Sequence, residues 1–350
     1  MNLFQRILTI TAVLTEVVFA SGNHRLQRVP IPAIDSLLST GIEQVLLQQY
    51  HAAGETFRKL SADFPDHPAG YLYQAAVLQS EAMDYEERLN DRRFDSLLAA
   101  GRQRSETMIR NAGESPWGYY YLGTTLGYDS YARAERGDWF GAATKGMSAA
   151  SNFEKATELD STFYDAKAGI GTYYYWKSRK IEFLTWLPFV QDSREEGIAK
   201  LEQCLEMGTY NKFAAMSSLV AILVDAGRFA EAAEVAQKAL ARYPENRIFL
   251  WGLATAQERS GTSVEAAGTY ERLLQSILQD TRPNPYNELV CRLNLLLLTW
   301  RGRSRDHNLA AVGEILQLET NRFSEHLKER AADKFKIARR LEREIQRASN

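Results

Sequence analysis

From Pro32 onward, apolar residues recur every three or four positions, and little of the chain alternates apolar and polar residues as a strand does. This spacing gives each segment one apolar stripe of the kind that a helix buries against a neighbour. The pattern therefore predicts an all-α protein made of many helices joined by short turns.

The predicted helices repeat with a period of 34 residues, the distance between unit starts at Phe213 and Arg247. Small, aromatic, glycine and proline residues return at the same places in each unit. In the unit that starts at Phe213, these residues are Val220, Gly227, Phe229, Ala232, Ala236, Ala239 and Pro244. In the unit that starts at Arg247, they are Ala254, Gly261, Ala266, Tyr270 and Leu273. A unit starting at Ala33 or Ile34 has Tyr50, Ala53, Phe57, Leu60 and Pro65 in the second-helix positions.

These residues resemble the tetratricopeptide repeat, a helix-turn-helix unit of 34 residues. The resemblance implies a right-handed α-solenoid, because one unit cannot bury its apolar face alone and must stack on its neighbours. Glycine at position 15 of a unit permits the tight turn, and proline near position 32 ends the second helix. The long central units, and the stretch from Tyr164 to Leu205 in particular, are also similar to exported bacterial proteins of this kind.

The repeat predicts a solenoid over residues 33–320, preceded by a linker over 21–32 and followed by a capping helix over 321–350. Its units fall near 34–67, 68–115, 116–163, 164–212, 213–246, 247–280 and 281–320. The three central units hold 48 or 49 residues each, and their extra length lies between the two helices of the unit. We therefore expect the central helices to be longer, by about 10 Å each at the α-helical rise. The third insert, 181–190, is apolar and contains Pro188, which predicts a loop instead.

Residues 1–20 have the order of a secretory signal peptide: Arg6, the apolar run Ile7–Phe19, and then small residues. This order predicts cleavage between Ala20 and Ser21 and export to the periplasm or cell envelope of a bacterium. The apolar run is too short to span a bilayer comfortably, so no membrane span is expected in the mature chain. Glu16 interrupts the run, and a buried N-terminal helix is the alternative.

Charge and motifs exclude several function classes. The chain carries 42 basic and 44 acidic residues, and this near-balance argues against a nucleic-acid partner. It contains none of the common hydrolase, metalloprotease or nucleotide-binding motifs, and Gly171 falls in a small-residue packing position of its unit. The five histidines have no ligand spacing and are interpreted as solvated, and the cysteines Cys204 and Cys291 as buried and unpaired. No catalytic residue, metal or cofactor is expected.

The most distinctive feature is a cluster of aromatic residues in the central units. The resemblance implies that the first helix of each unit lines a concave groove, and tyrosine and tryptophan suit recognition surfaces. The candidate groove residues, including two from the insert, are Trp117, Tyr120, Tyr128, Thr172, Tyr175, Trp176, Phe183 and Trp186. The alternative is that the insert 181–190 folds into the groove and makes these aromatic residues part of the core.

Two functional hypotheses follow from these features. The first is a non-enzymatic scaffold that binds a protein or peptide segment in its concave groove. The second is a pocket that binds a glycan or small ligand, or hydrolyses one, with acidic candidates Asp165, Glu182, Glu195 and Glu196. The basic C-terminal helix could in addition touch an anionic membrane, or serve only as a solvated cap.

Overall fold

The computed structural model describes residues 27–89, 91–112, 115–180, 182, 191–320 and 323–347. These residues form fifteen α-helices: α1 (Pro32–Leu46), α2 (Tyr50–Asp63), α3 (Ala69–Asp84), α4 (Asp91–Ala112), α5 (Pro116–Glu135), α6 (Trp139–Leu159), α7 (Tyr164–Lys180), α8 (Arg194–Met207), α9 (Lys212–Asp225), α10 (Phe229–Leu240), α11 (Arg247–Ser260), α12 (Ser263–Gln279), α13 (Pro285–Thr299), α14 (Arg305–Gln317) and α15 (Glu325–Arg347). Single 3-10 turns, Trp300–Gly302 and Leu318–Thr320, follow α13 and α14. The predicted signal peptide and Phe183 and Trp186 lie outside the described residues.

Consecutive helices pack as pairs, and each pair packs on the next, which confirms the all-α solenoid. Small residues bring the two helices of a pair together. A Cβ on Gly171 in α7 would lie only 2.4 Å from the carbonyl oxygen of Gly197 in α8. Gly171 is therefore a packing residue, as its place in the repeat predicts.

Both helices are lengthened in the second long unit, and one helix is lengthened in the first. Helices α4, α5 and α6 contain 22, 20 and 21 residues, whereas α3 contains 16, and α9 and α10 contain 14 and 12. The third long unit differs, because α8 has only 14 residues and its extra length lies between α7 and α8. Most of that insert lies outside the described residues.

The last helix, α15, closes the C-terminal end as a cap. One face of α15 is buried on α13 and α14, and the opposite face is charged and exposed. The buried face consists of Leu327, Ala331, Phe335, Ala338, Leu341 and Ile345. None of the helices among the described residues is long and apolar enough to cross a bilayer.

The sequence does not predict the way in which the N-terminal helices contact the rest of the solenoid. Residues 27–35 reach the turns before α7 and α9: Gln27 donates to Asp160, and the Val29 amide donates to the Tyr210 hydroxyl. The end of α1 reaches the turn before α11, where Asn246 donates to the Leu46 carbonyl oxygen over 2.8 Å. Successive segments of the first two repeats therefore contact the turns of successive later units. The contacts follow the same order along both parts of the chain.

The end of α3 completes this contact at the C-terminal units. The backbone carbonyl of Asp84 accepts hydrogen bonds from Asn284 at 3.0 Å and Asn287 at 2.8 Å, at the start of α13. Farther on, the Glu86 carbonyl accepts from His326 in α15. We call the contacts of residues 27–87 with the turns before α7, α9, α11 and α13 and with α15 the closure.

A buried ion pair lies at the centre of the closure. Arg247, at the start of α11, bonds Asp84, and only 6% and 1% of these two side chains are exposed. The guanidinium also lies 3.0 Å from Asp280. Tyr50 and Gln48 donate the remaining hydrogen bonds to Asp84, at 3.0 and 2.8 Å. The pair is thus surrounded by hydrogen-bonding partners, which a buried charge requires.

Two closure residues have an unusual backbone conformation. Five of the described residues have positive φ. Three of them are glycines at tight turns, Gly137, Gly227 and Gly261, whereas Gln48 and Glu86 are not glycine. Gln48 takes position 15 of the first unit, where Gly227 and Gly261 stand in theirs. Both non-glycine side chains bond across the closure: Gln48 accepts the Arg247 amide hydrogen, and Glu86 pairs with Arg330. Their side-chain contacts offset the cost of the left-handed conformation.

Two histidines differ from the solvated surface residues that the sequence suggests. His67 is half-buried against Tyr121, and its Nδ1 accepts the Ala69 amide hydrogen at the start of α3. His326 donates to the Glu86 carbonyl in the closure. Both lie where separate repeats meet, and a pattern within one helix cannot show this. Cys204 and Cys291 are buried and unpaired, as expected.

Replacing Arg247 with methionine should lower the free energy of unfolding by about 3–5 kcal/mol, because Asp84 would stay buried without its cation. The double variant Arg247→Met, Asp84→Leu should lose less, because no charge is then buried alone. Urea denaturation followed by circular dichroism measures both losses. The matched control is Arg242→Met, which breaks an exposed pair with Glu43 and should cost no more than about 1 kcal/mol. Equal losses for Arg247→Met and Arg242→Met would contradict a central role for the buried pair.

Candidate functional site

The aromatic residues predicted to line a groove are largely core residues. Tyr120 is fully buried among aromatic rings: its ring centroid lies 5.1 Å from that of Phe163 and 5.8 Å from that of Trp117. Its hydroxyl lies 3.5 Å from the hydroxyl of Tyr73 in α3. Burial raises the pKa of Tyr120 well above its usual value. The structure thus corrects the prediction that Tyr120 faces an open groove.

Tyr175 is also buried, although its hydroxyl reaches the edge of the structure. Only 1% of the residue is exposed, and the hydroxyl donates to Asp225 over 2.7 Å. The ring packs edge-on to Trp176 at 5.2 Å. Tyr175 therefore joins α7 to α9 and offers no face to a partner, which is a second correction.

The other described candidates, Trp117, Tyr128, Thr172 and Trp176, are half-buried. Trp117 contacts Tyr210, which is itself part of the closure. Thr172 donates to the carbonyl oxygen of Ala168 in its own helix. Adjacent repeats enclose Tyr120, because the rings around it come from α3, α6 and the turn before α7. The closure adds the turn before α9, where Tyr210 contacts Trp117.

The four acidic candidates for a hydrolytic pocket have separate structural partners. Asp165 is buried, and it accepts the backbone N–H groups of Thr209, Tyr210 and Asn211 at 2.9–3.2 Å. Burial raises the pKa of Asp165, and those three hydrogen bonds oppose the rise. Its role is to hold the turn before α9.

The remaining acidic side chains pair with surface cations. Glu182 bonds Arg179 and Arg194, and Glu195 pairs with Arg228 at 3.2 Å. Glu196 pairs with Lys200. Among the described residues, moreover, no group of three or more histidine, cysteine or acidic residues could hold a metal ion.

An open cleft lies instead between the ends of α3 and α5 and the start of α15. Its volume is about 700 Å³, which is within the range of small-ligand and peptide sites. A second cavity of about 220 Å³ adjoins it between α3, α11, α13 and α15, and the two share Met83, Glu86 and Arg330. Other residues that line the larger cavity are Gln79, Leu89, Tyr131, Glu135 and Arg136.

The cleft combines an apolar floor with a charged rim. Met83 is 49% exposed, and methionine adapts its shape to different partners. On the rim, Arg330 bonds Glu86 at 2.8 Å and Arg282 bonds Glu87. Glu135 is exposed on the α5 side. This arrangement can bind a segment that places an apolar side chain against Met83 and polar groups against the charged rim.

Sequence analysis misses this cleft because its walls come from repeats that are far apart in the chain. Glu86 and Arg330 are 244 residues apart and meet only through the closure. The one sign of the closure in the sequence is a departure from the repeat pattern. The first unit has Gln48 at the position where the units starting at 213 and 247 have glycine.

Residues 219–285 match the family model of the tetratricopeptide repeat, which confirms the resemblance on which the fold prediction rests. A search of curated proteins finds no match. Among solved structures, the chain is similar to one of the anaphase-promoting complex (APC/C) hetero-tetramer Cut9–Hcn1, with 14% identity, coverage of 82% of this chain and 47% of that chain, and a TM-score of 0.52.

Two bacterial structures are also similar. One is a thermophilic tetratricopeptide protein of Thermus thermophilus, with 17% identity, coverage of 64% of this chain and 98% of that chain, and a TM-score of 0.43. The other is the C-terminal part of a repeat-containing protein from Cytophaga hutchinsonii, with 17% identity, coverage of 87% and 98%, and a TM-score of 0.47. At these identities, the similarity to Cut9–Hcn1 shows a shared fold alone.

Tyr120→Ala should lower the free energy of unfolding by about 3–5 kcal/mol, because it empties a fully buried aromatic site. The control Phe140→Ala removes a ring that is 86% exposed and should change stability by less than about 0.5 kcal/mol. Urea titrations of both variants compare the losses. A Tyr120→Ala protein as stable as the wild type would restore the groove interpretation.

His67 should make the protein less stable in acid. Burial lowers the pKa of His67 from 6.5 to about 4, so on acidification the unfolded chain takes up this proton first. The contribution, up to about 3 kcal/mol, is complete above pH 6.5 and is lost as the pH falls toward 4. His67→Asn keeps an acceptor for the Ala69 amide and does not titrate. Denaturation at pH 7 and pH 4.5 should show a smaller pH effect in the variant, and equal pH effects would contradict the assignment.

Proposed function

We propose that this protein is a non-enzymatic scaffold of the bacterial cell envelope that binds a peptide or protein segment in the cleft between α3, α5 and α15. Tetratricopeptide solenoids generally mediate protein–protein contacts through concave surfaces. The observation that carries the proposal is the open cleft with the exposed side chain of Met83 on its floor, next to an aromatic core that is closed.

The chemistry of the cleft favours a peptide over a glycan. Sugar recognition uses flat, exposed aromatic faces and many convergent hydrogen-bonding groups, but Tyr120 and Tyr175 are buried. The acids Asp165 and Glu195 are engaged with separate partners, which removes the geometric basis for a hydrolytic pair.

The segment that best fits has one apolar side chain flanked by charges of both signs. The apolar side chain would contact Met83 and Tyr131, and the flanking charges would meet Arg88 and Glu135 on the rim. Such a segment is bound in extended or helical form without a large change in the solenoid, because the closure holds α3 and α15 together.

The cell-envelope location rests on the residues before the described part of the chain. The apolar run Ile7–Phe19, followed by Ala20 and Ser21, supports an exported protein. The near-zero net charge supports protein partners over nucleic acid.

A photo-crosslinking amino acid at Met83 tests the cleft in cells. We expect a defined crosslinked product from position 83 and none from position 264, where Val264 is 84% exposed at the start of α12. Met83→Lys should weaken capture of the same partner about tenfold, in line with loss of one anchoring side chain. Identical products from positions 83 and 264, or none from either, would count against the cleft.

A further inference from the structure

The start of α6 presents apolar side chains to solvent in an otherwise charged surface. Trp139 is 67% exposed, Phe140 is 86% exposed and Met147 is 58% exposed. These residues and Ala143 lie on one side of the helix, since positions 140, 143 and 147 are three and four residues apart. We call these four residues the α6 face.

Large exposed apolar residues elsewhere in the described chain are scattered singly, which needs no explanation. Trp139 and Phe140 differ because they are adjacent and lie at the end of a helix. Lys145 is the one charged residue between Trp139 and Phe153. The first two to three turns of α6 therefore expose an apolar surface that water solvates poorly.

Basic side chains surround this apolar surface. The ammonium of Lys180, at the end of α7, lies 5.9 Å from the centre of the Trp139 ring, and that of Lys177 lies 5.9 Å from the Tyr173 ring. The other basic residues of this region form ion pairs: Arg133 and Lys145 with Asp129, Arg136 with Asp95 and Arg179 with Asp225. Lys177 and Lys180 lie instead over aromatic rings, and they supply the positive charge beside the exposed apolar side chains.

We propose that the α6 face is a docking site for the surface of an anionic lipid membrane. Tryptophan prefers the boundary between headgroups and acyl chains, where its ring is in apolar surroundings and its N–H stays hydrated. Lysine stems lie along apolar surface while their ammonium groups reach the lipid phosphates. Trp139 and Phe140 enter the interface, and Lys177 and Lys180 contact the headgroups. The protein is then held peripherally.

The test compares binding of the full chain to vesicles of phosphatidylcholine alone and to vesicles that also contain phosphatidylglycerol. Co-sedimentation should show tighter binding to the anionic vesicles. The double variant Trp139→Ala, Phe140→Ala should bind at least about tenfold more weakly, since two aromatic side chains no longer enter the interface. Lys177→Gln with Lys180→Gln should reduce the preference for anionic lipid by a factor of about ten or more. Val264→Ala, an exposed apolar residue elsewhere, should bind as the wild type does.

A second readout identifies Trp139 itself, even if another part of the chain also binds lipid. Lipids with brominated chains quench a tryptophan that enters the bilayer, so the wild type should be quenched more than Trp139→Phe at the same bound fraction. Equal quenching, or equal binding by the double variant, would overturn the proposal. Light scattering that shows a dimer dissociated by the double variant would assign the α6 face to a second copy, and binding of the wild type to neither vesicle would exclude the membrane. Unchanged circular dichroism of the variants confirms that they are folded.

Discussion

The buried ion pair between Arg247 and Asp84 is the interaction on which the arrangement of the repeats depends. A solenoid held only by neighbour contacts is free to extend, because each unit touches only the next one. Here a charge from α11 is desolvated against a charge from α3, and such a pair is stable only with its partners in place. Tyr50, Gln48 and Asp280 supply those partners, so the first, second and sixth repeats meet at one point.

Adjacent repeats and the closure together turn an aromatic surface into an aromatic core. Tyr73 of the second repeat lies against Tyr120 of the third, and in the closure Tyr210 contacts both Asp35 and Trp117. The closure also joins Glu86 to Arg330, and this pair lines the open cleft between α3, α5 and α15. The contacts between repeats therefore decide which residues become core and which residues line the cleft.

The closure also gives a physical reason for departures from the repeat pattern. A glycine at the turn of the first unit would adopt the left-handed conformation at lower cost, as Gly227 and Gly261 do. Gln48 accepts that cost because its side chain donates to Asp84 and accepts the Arg247 amide. Residues that break a local rule in this chain therefore mark places where distant parts of the fold meet.

The sequence by itself determined the helical class, the repeat and its glycine turns, the lengthening of α4, α5 and α6 and the presence of a C-terminal cap, because each depends on residues within one or two neighbouring helices. The helical period decides which side of α15 is buried, for example, whatever that helix packs against. Only the tertiary structure decided that Tyr120 and Tyr175 are core residues, that Asp165 supports a turn, and that Met83 lies in a cleft. These outcomes depend on contacts between residues far apart in the sequence, such as Glu86 with Arg330 across 244 residues, and a pattern of 34-residue units is the same whether the solenoid is open or closed.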